Sequence, residues 1–471
     1  MTTHGRVSFW YAGTGLPAPR PALPGDLDVD VAIVGAGYTG LWAAYHLKRA
    51  DPSLDVAVLE ARFAGFGASG RNGGWLANTI TGDRNGYAAS HGRALAGRFQ
   101  ELLNASVDDV IATAAAEGID AHAVKGGELL VARNPAQLAR LDELEREEAR
   151  WPEDGAVRLD AEQTAGRLRI SGALGALHLP HCARIQPARL VRGLADAVER
   201  LGVRIYEDTP VREIVGAGAG GRTTPGPSFP AALTGRGRVT ARHVLRATEG
   251  FTADLKGLHR LWLPMNSSMI VTEPLPDHVW ERIGWAGCET VEDLAHAYVY
   301  LQRTADGRIA IGGRGVPYRY GSRVDADGVT AGRTAAQLAS VLAGMFPDAA
   351  DARIEHSWSG VLAVPRDWHA SVRHDPRTGL GSAGGYVGTG VTASYLAGRT
   401  LADLVLGRST ELTAMPWVNR PQRRWEPEPL RFAAVHGLYA AYRWADRREA
   451  RAGAAGPTSL LARVADRVAG R

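Results

Sequence analysis

Cysteine is scarce in this chain, and its scarcity narrows the kinds of fold and site that the chain can form. The 471 residues include 2 cysteines, Cys182 and Cys288, which lie far apart and in no metal-ligand spacing. A disulfide scaffold or a zinc site therefore has no support. No stretch is apolar enough to span a bilayer, and the N-terminal MTTHGRVSFWYAG lacks the basic and apolar regions of a signal peptide. We expect a protein of the reducing cytoplasm.

The chain also lacks a large excess of positive over negative side chains, or of negative over positive ones. Lys+Arg residues number 54 and Asp+Glu residues 50, which gives a formal net charge of +4. Lysine occurs at positions 48, 125 and 256 alone, so arginine carries nearly all of the positive charge. This bias indicates the base composition of the coding sequence rather than nucleic-acid binding, and we expect no nucleic-acid partner. With 45% hydrophobic residues, the chain is long enough for two or three globular domains.

Residues 29–60, VDVAIVGAGYTGLWAAYHLKRADPSLDVAVLE, predict a strand, a glycine turn, a helix and a second strand. Gly35, Gly37 and Gly40 fill the three positions of G-x-G-x-x-G, which gives a tight turn, backbone approach to a pyrophosphate and close helix–strand packing. The second strand ends at Glu60, whose carboxylate can accept hydrogen bonds from both hydroxyls of a ribose. The unit predicts a bound dinucleotide, and further cofactor contacts are assigned to Tyr38, Thr39, Ala61 and Arg62.

A second glycine-rich segment follows directly. ARFAGFGASGRNGGW (61–75) sets small residues around Arg71 and Asn72. Small residues let the backbone approach a large flat ligand, and successive N–H groups in such a turn form a concave anion site. We interpret it as a second cradle, for pyrophosphate and the edge of an isoalloxazine ring; a glycine-rich surface loop is the alternative. The residues assigned to this cradle are Gly67, Ala68, Ser69, Arg71, Asn72, Gly73 and Gly74.

These segments resemble the glycine oxidase/D-amino-acid oxidase family of FAD-dependent oxidoreductases, in particular its gamma-glutamylputrescine oxidoreductase-like branch. The resemblance covers nearly the whole chain: VSFWYAGTG (7–15) is similar to the N-terminal lead-in, GASGRNGG (67–74) to the flavin-contacting loop, and HVLRATEG (243–250) to a strand end under the dinucleotide. The resemblance implies FAD contacts at Val211, Ala247, Thr248 and Gly250. The histidine and cysteine through which some relatives tether FAD are missing here, which implies noncovalent FAD.

The segment GSAGGYVGTGVTASYLAGRTLADLVLG (381–407) is similar to the closing turn and helix of that family. Glycines before a helix also aim N–H groups and a positive dipole end at negative charge. In a flavoenzyme that charge develops at the N1–C2=O edge of the reduced ring, and the candidates to stabilise it are Gly385, Tyr386, Gly388, Thr389 and Gly390. A simple capped helix is the alternative. Relatives often have histidine at Thr389, so no proton role of that histidine carries over.

The cofactor motifs are dispersed, so the domains must interleave. We predict an α/β (α+β) fold in which a Rossmann-like FAD-binding domain is interleaved with an antiparallel-sheet substrate domain. The FAD-binding domain takes residues 1–85, 183–265 and 355–410, the substrate domain takes 86–182 and 266–354, and 411–471 form a C-terminal helical extension. Within the second FAD segment, the Gly/Pro/Thr-rich stretch 216–230 predicts a flexible hairpin tip.

The strands of the substrate domain supply candidate pocket residues. In AYVYLQRT (297–304), Tyr298 and Tyr300 share one face, and aromatic faces attract amines. Arg314, between two glycines, is a candidate carboxylate clamp, or the cation that assists oxygen in place of the lysine that sarcosine-oxidase-like relatives use. Met269 and Trp358 are further candidates. The alternative for the two tyrosines is that they pack against other side chains. The alternative for Arg314 is a solvated position on the surface.

The resemblance and the residues together favour removal of a hydride from the carbon next to an amine, acting on CH-NH or CH-NH2 groups. The partners expected are a small amine or amino-acid substrate and molecular oxygen or another electron acceptor. A quinone-linked amino-acid dehydrogenase, a flavin-binding protein without turnover and a nicotinamide dehydrogenase are alternatives. The basic, aromatic C-terminal stretch predicts packing on its own protein; contact with an anionic membrane surface is the alternative.

Overall fold

The computed structural model describes residues 7–218, 228–313, 315, 317–324 and 327–452. The first part of the chain forms β1 (Leu27–Val34), α1 (Tyr38–Ala50), β2 (Val56–Leu59), β3 (Trp75–Ala77), α2 (Arg84–His91), α3 (Arg93–Ala116), β4 (Glu128–Ala132), α4 (Pro135–Glu148), β5 (Val157–Asp160), α5 (Ala161–Arg167), β6 (Gly175–Leu179) and β7 (Cys182–Arg184). The middle part forms α6 (Pro187–Arg200), β8 (Arg204–Tyr206), β9 (Val211–Val215), β10 (Ala231–Thr234), β11 (Arg238–Arg246), β12 (Leu263–Thr272), α7 (Asp277–Ile283), β13 (Thr290–Asp293), β14 (Val299–Arg303) and β15 (Ile309–Gly313). The last part forms α8 (Gly332–Met345), β16 (Ile354–Val364), β17 (Ser371–Asp375), β18 (Leu380–Gly384), α9 (Gly390–Val405) and α10 (Leu430–Ala452).

The first large sheet has a parallel centre. Its strand order is β17-β18-β11-β1-β2-β8, and β10 and β9 continue from β11. β1 pairs in parallel with β11 and β2, and β2 pairs in parallel with β8. The apolar runs VAIV of β1 and VAVL of β2 are almost wholly buried, as expected for strands covered on both faces. α1 packs against α9 on one side, so the carboxyl ends of the central strands and the starts of both helices lie at one end.

The second large sheet is mainly antiparallel. Its order is β16-β12-β15-β14-β13-β4-β6-β5, and β13–β4 is its one parallel pair within the described residues. Helices α7 and α8 pack with its strands around Trp285, Leu301 and Ile311. The register places Glu292 of β13 opposite Tyr300 of β14, and opposite Leu130 of β4. Side chains from three neighbouring strands therefore share the face that carries the candidate site.

The predicted interleaved, mixed α/β fold is confirmed. The first sheet takes strands from residues 27–59, 204–246 and 371–384, and the second takes strands from 128–179, 263–313 and 354–364. β16 belongs to the second sheet, although the closing segment predicted for the cofactor domain begins at residue 355. The domain boundaries themselves remain a prediction.

The C-terminal helix α10 packs on the rest of the protein. Near the end of α10, Asp446 accepts hydrogen bonds from the N–H groups of His296 (2.8 Å) and Ala297 (3.0 Å). Near its start, His436 Nε2 lies 2.9 Å from the Tyr318 carbonyl oxygen. Across the described ranges, no helix has both the length and the apolar character needed to cross a membrane. Residues 219–227, the centre of the predicted hairpin tip, lie outside the described part of the chain.

Candidate functional site

The glycine turn between β1 and α1 depends on close backbone contacts. Gly35 has a φ of +106°, and a Cβ atom placed there would lie 2.6 Å from the Ala247 carbonyl oxygen. A Cβ atom at Gly40 would lie 2.0 Å from the Gly35 carbonyl oxygen, and one at Gly37 would lie 2.8 Å from the Ser69 hydroxyl oxygen. Side chains at these positions would force the turn open. The glycines therefore bring β1, α1 and the end of β11 together.

Glu60 follows β2, and its carboxylate closes the same turn. Oε2 accepts a hydrogen bond from the Ala36 N–H (2.9 Å), and Oε1 accepts one from the Arg62 N–H (3.0 Å). Burial raises the pKa of the Glu60 carboxyl above its usual value. Each oxygen keeps a second lone pair, so these bonds leave acceptors for ribose hydroxyls. The contact with the turn is a role that the motif spacing did not indicate, and the ribose contact remains a prediction.

Loop 67–74 is held by its own side chains. The Asn72 Nδ2 group donates to two loop carbonyls (3.1 and 2.9 Å), and the Asn72 Oδ1 accepts from the Gly74 N–H (2.8 Å). Ser69 Oγ accepts from the Tyr38 N–H at the start of α1 (2.8 Å). The loop is therefore a defined turn fixed against the glycine turn, not a loose surface segment.

Arg71 and Trp358 fasten this loop to the second sheet. The buried Arg71 donates from Nε to the Phe66 carbonyl (2.8 Å) and from Nη1 to the Ser359 carbonyl (3.3 Å). Trp358 Nε1 donates to the Arg71 carbonyl (2.9 Å). Trp358 and its register partner Met269 are buried in a cluster with Trp10 and other N-terminal residues. The prediction that Trp358 and Met269 line the pocket is corrected by this packing: Trp358 positions the loop, and Met269 is core.

The turn between β18 and α9 approaches the start of α1. Gly385, Val387 and Gly388 have φ values of +80°, +56° and +116°, which produce a sharp turn ahead of the helix. The Tyr386 hydroxyl lies 3.1 Å from the Thr39 hydroxyl. Within the described part of the chain, the N-cap residues Gly37 of α1 and Thr389 of α9 make no side-chain cap, and Ser69 Oγ takes the first N–H of α1 alone. Two helix N-termini therefore face the same region with N–H groups available to a ligand.

Glu249 was missed by the sequence analysis. It follows β11 with a φ of +42°, and its carboxylate accepts from the N–H groups of Gly385 (3.0 Å) and Tyr386 (3.1 Å). Burial raises the pKa of the Glu249 carboxyl to about 7. Arg246, the last residue of β11 and three residues before Glu249, is buried with its guanidinium 4.3 Å from the Trp262 ring centroid. Glu249 thus positions the closing turn, and the only signal for it was an acid inside ATEG (247–250).

A cavity lies between the two glycine-rich loops and the second sheet, with an empty volume of about 1160 Å³ including its mouth. Of the residues predicted from the sequence, the structure brings thirteen into its wall: Tyr38, Thr39, Ala68, Ser69, Arg71, Asn72, Gly73, Tyr298, Tyr300, Tyr386, Gly388, Thr389 and Gly390. The residues that sequence reasoning missed include Trp75, Thr79, Glu128, Glu249, Ser267 and Glu292. The wall is therefore aromatic on the side of the second sheet and rich in backbone N–H groups on the other.

The other predicted residues lie beyond this wall. Ala61 and Arg62 are exposed after β2, and Val211 is the first residue of β9, which joins the first sheet through β10. Thr248 Oγ1 lies 2.8 Å from Thr252 Oγ1. A Cβ atom at Gly250 would lie 2.6 Å from a Val361 methyl group, so this glycine serves packing between the domains. Arg314 lies outside the described residues.

The fold and the cavity define a two-domain protein of the dinucleotide-binding type. Residues 30–404 match the DAO family model, described as FAD dependent oxidoreductase. The chain therefore belongs to the DAO family of FAD-dependent oxidoreductases, and the resemblance found in the sequence is confirmed.

Several relatives cover most of the chain. The gamma-glutamylputrescine oxidoreductase of Escherichia coli (strain K12) is 33% identical over 419 residues, which cover 88% of this chain and 92% of that protein. The glycine oxidase of Bacillus licheniformis is 24% identical over 388 residues, covering 80% and 93%. The crystal structure of glycine oxidase from Geobacillus kaustophilus is similar with a TM-score of 0.66 at 23% identity, covering 84% of this chain and 100% of that one.

The residues present fit the cofactor that the family implies. The glycine turn leaves no space for side chains, and the N-cap residue of α1 is Gly37, which has no side chain to compete with a pyrophosphate for the N–H groups that follow Tyr38. Loop 67–74 and the turn before α9 would hold the flavin end, since both line the cavity. Glu60 keeps free lone pairs for the ribose.

Proposed function

We propose that this protein is an FAD-dependent oxidoreductase that removes a hydride from the carbon next to an amine. The C–H bond breaks, the nitrogen lone pair forms a C=N bond, and water then converts the imine to a carbonyl compound and a released amine. When bound, FAD supplies the hydride acceptor, and its electrons pass to molecular oxygen or another acceptor. The names of the relatives, an oxidoreductase of gamma-glutamylputrescine and glycine oxidases, support an amine or amino-acid substrate.

One observation carries this proposal: two helix N-termini and two glycine-rich turns meet on one cavity whose opposite wall is aromatic. The N–H groups around Gly388 and Gly390 would stabilise negative charge on the flavin edge. The tyrosine wall suits an amine, because ring faces attract cations and exclude water. In this proposal no residue forms a covalent bond to FAD, and the cofactor is bound noncovalently.

Tyr300 has a defined position in this wall. Its hydroxyl lies 2.9 Å from Ser267 Oγ, and its ring meets Trp75 edge to face with centroids 6.0 Å apart. A Cβ atom at Gly73 would lie 2.8 Å from the Tyr300 ring, so the flavin loop and the substrate wall are in direct contact here. Tyr300 would therefore border a substrate that lies beside the loop carrying Asn72 and Gly73, which is where hydride removal requires the substrate to be.

Anaerobic mixing of the purified holoenzyme with amines, amino acids and the matching alcohols tests the proposal. We expect amines or amino acids to bleach the flavin absorbance and the alcohols to leave it unchanged. Bleaching by alcohols alone, or by none of the compounds, would overturn the assignment to amine oxidation. Flavin that stays with acid-precipitated protein would overturn the noncovalent mode. Mixing the reduced enzyme with oxygen then distinguishes an oxidase from a dehydrogenase.

A further inference from the structure

Glu128 is a buried carboxylate in the wall of the cavity. It is the first residue of β4, is 6% exposed, and lines the cavity. Within the described residues, no hydrogen-bond or ion-pair partner of its carboxylate is found, and burial alone raises the pKa of the Glu128 carboxyl to about 7. Buried carboxylates are normally paired because the loss of hydration is unfavourable. An unpaired one that faces a cavity indicates a cationic ligand.

The other charged groups of the wall have defined partners. Arg71 donates to two backbone carbonyls, and Glu249 accepts from two backbone N–H groups. Glu292 lies on the same face of the second sheet as Glu128, because its register partner is Leu130, two residues along β4. Glu128 and Glu292 therefore both place carboxyl groups on the wall that the second sheet supplies.

Glu128 also lies far from the opposite end of the cavity. Ser267 lines that end from β12, and the strand order β12-β15-β14-β13-β4 places four strand spacings between it and Glu128. At about 4.8 Å per spacing, the two backbones are roughly 19 Å apart. Tyr300 on β14 lies between them. The cavity is thus elongated across the strands, with the aromatic wall in the middle and Glu128 at one end.

We propose that Glu128 binds a second cationic group of the substrate, remote from the amine that is oxidised. The inference rests on the proposed amine oxidation and names its substrate class: amines with a distal ammonium group, such as linear diamines, rather than amino acids whose distal group is a carboxylate. Glu128 is a specificity residue in this scheme, and it takes no part in breaking the C–H bond.

Flavin reduction by three sets of linear compounds with three to eight carbons tests this. The sets are α,ω-diamines, alkylamines and ω-amino acids, which differ in the distal group alone. For wild-type holoenzyme we expect at least one diamine to give a reduction rate per Kd about 10- to 100-fold above its alkylamine. Glu128→Gln should abolish that preference, and Glu128→Asp should restore part of it. Glu289→Gln removes a buried carboxylate that lies directly before β13 and outside the cavity wall, and should keep the preference.

The outcomes separate this inference from the proposed function. If no amine of any set bleaches the flavin, amine oxidation itself fails. If amines bleach it but diamines and alkylamines are equivalent in wild type, or Glu128→Gln slows both by the same factor, the role of Glu128 is overturned while amine oxidation stands. A preference for ω-amino acids that survives in Glu128→Gln would also overturn it.

Discussion

Glu249 gives a pH-dependent prediction because its carboxylate holds the turn that opens α9. It accepts from the N–H groups of Gly385 and Tyr386, and burial raises its pKa to about 7. The folded protein therefore holds this proton more tightly than the unfolded chain does. The contribution of Glu249 to stability is fully present below the unfolded pKa and declines as the pH rises through about 7.

The size of the effect follows from the difference between the two pKa values. A rise from 4.5 to about 7 corresponds to at most roughly 3.5 kcal/mol of unfolding free energy, at about 1.4 kcal/mol per pH unit. Glu249→Gln cannot ionise, so it loses this dependence. In this variant the side-chain amide also points an N–H group at one of the two backbone N–H donors, and this clash of donors lowers the free energy of unfolding by about 1–3 kcal/mol at every pH. We expect the variant to be less stable than wild type at pH 5 and to recover relative to it by pH 8.5.

Thermal unfolding of the holoenzyme from pH 5 to 8.5 with excess FAD measures this. The difference in Tm between wild type and Glu249→Gln should narrow by a few degrees across the range. Glu207→Gln is the matched control: Glu207 also accepts from two backbone N–H groups, those of Ala64 and Arg20, but its charge is paired with the Arg20 guanidinium. A Tm difference that is constant with pH, or that widens as the pH rises, would refute the reasoning.

Three further predictions concern the cofactor and the substrate. Glu60→Ala should weaken FAD retention about tenfold, since it removes the acceptors for ribose and the contact with the Ala36 N–H; flavin released on dilution measures this. Gly40→Ala should yield protein that purifies with little FAD, because the new Cβ would lie 2.0 Å from a backbone oxygen, whereas Gly344→Ala, with no atom within 4 Å, should retain it. Flavin reduction by amine should accelerate with rising pH and then level off, because an ammonium has no lone pair to expel the hydride; a rate independent of pH in stopped-flow experiments contradicts this.

Local motifs in the sequence were sufficient for the cofactor side. The spacing of Gly35, Gly37 and Gly40 predicted the turn, although only the contact of Gly40 with Gly35 is local; those of Gly35 and Gly37 are with Ala247 and Ser69. The alternation of Tyr298, just before β14, with Tyr300 on β14 likewise predicted one shared face, and both line the cavity.

The substrate side was harder to predict. Period-2 alternation tells which side chains share a face but not which face meets the cavity, so Met269 and Trp358 were misplaced there. Glu128 went unnoticed because its neighbours in space come from strands distant in sequence, and only the parallel β13–β4 pair brings it beside Glu292. Glu249 was missed because its partners, Gly385 and Tyr386, lie far along the chain.

The strand order of the first sheet has a consequence for synthesis. β1 pairs with β11, and residues 35–246, a stretch of 212 residues, must be translated between the end of one and the end of the other. At roughly 5–20 residues per second, synthesis of β11 is complete about 10–40 s after synthesis of the apolar β1. α9, which packs on α1, emerges later still. Proteolysis of stalled nascent chains should find residues 27–34 protected only in chains that extend beyond 246, and FAD should bind only once α9 has left the ribosome.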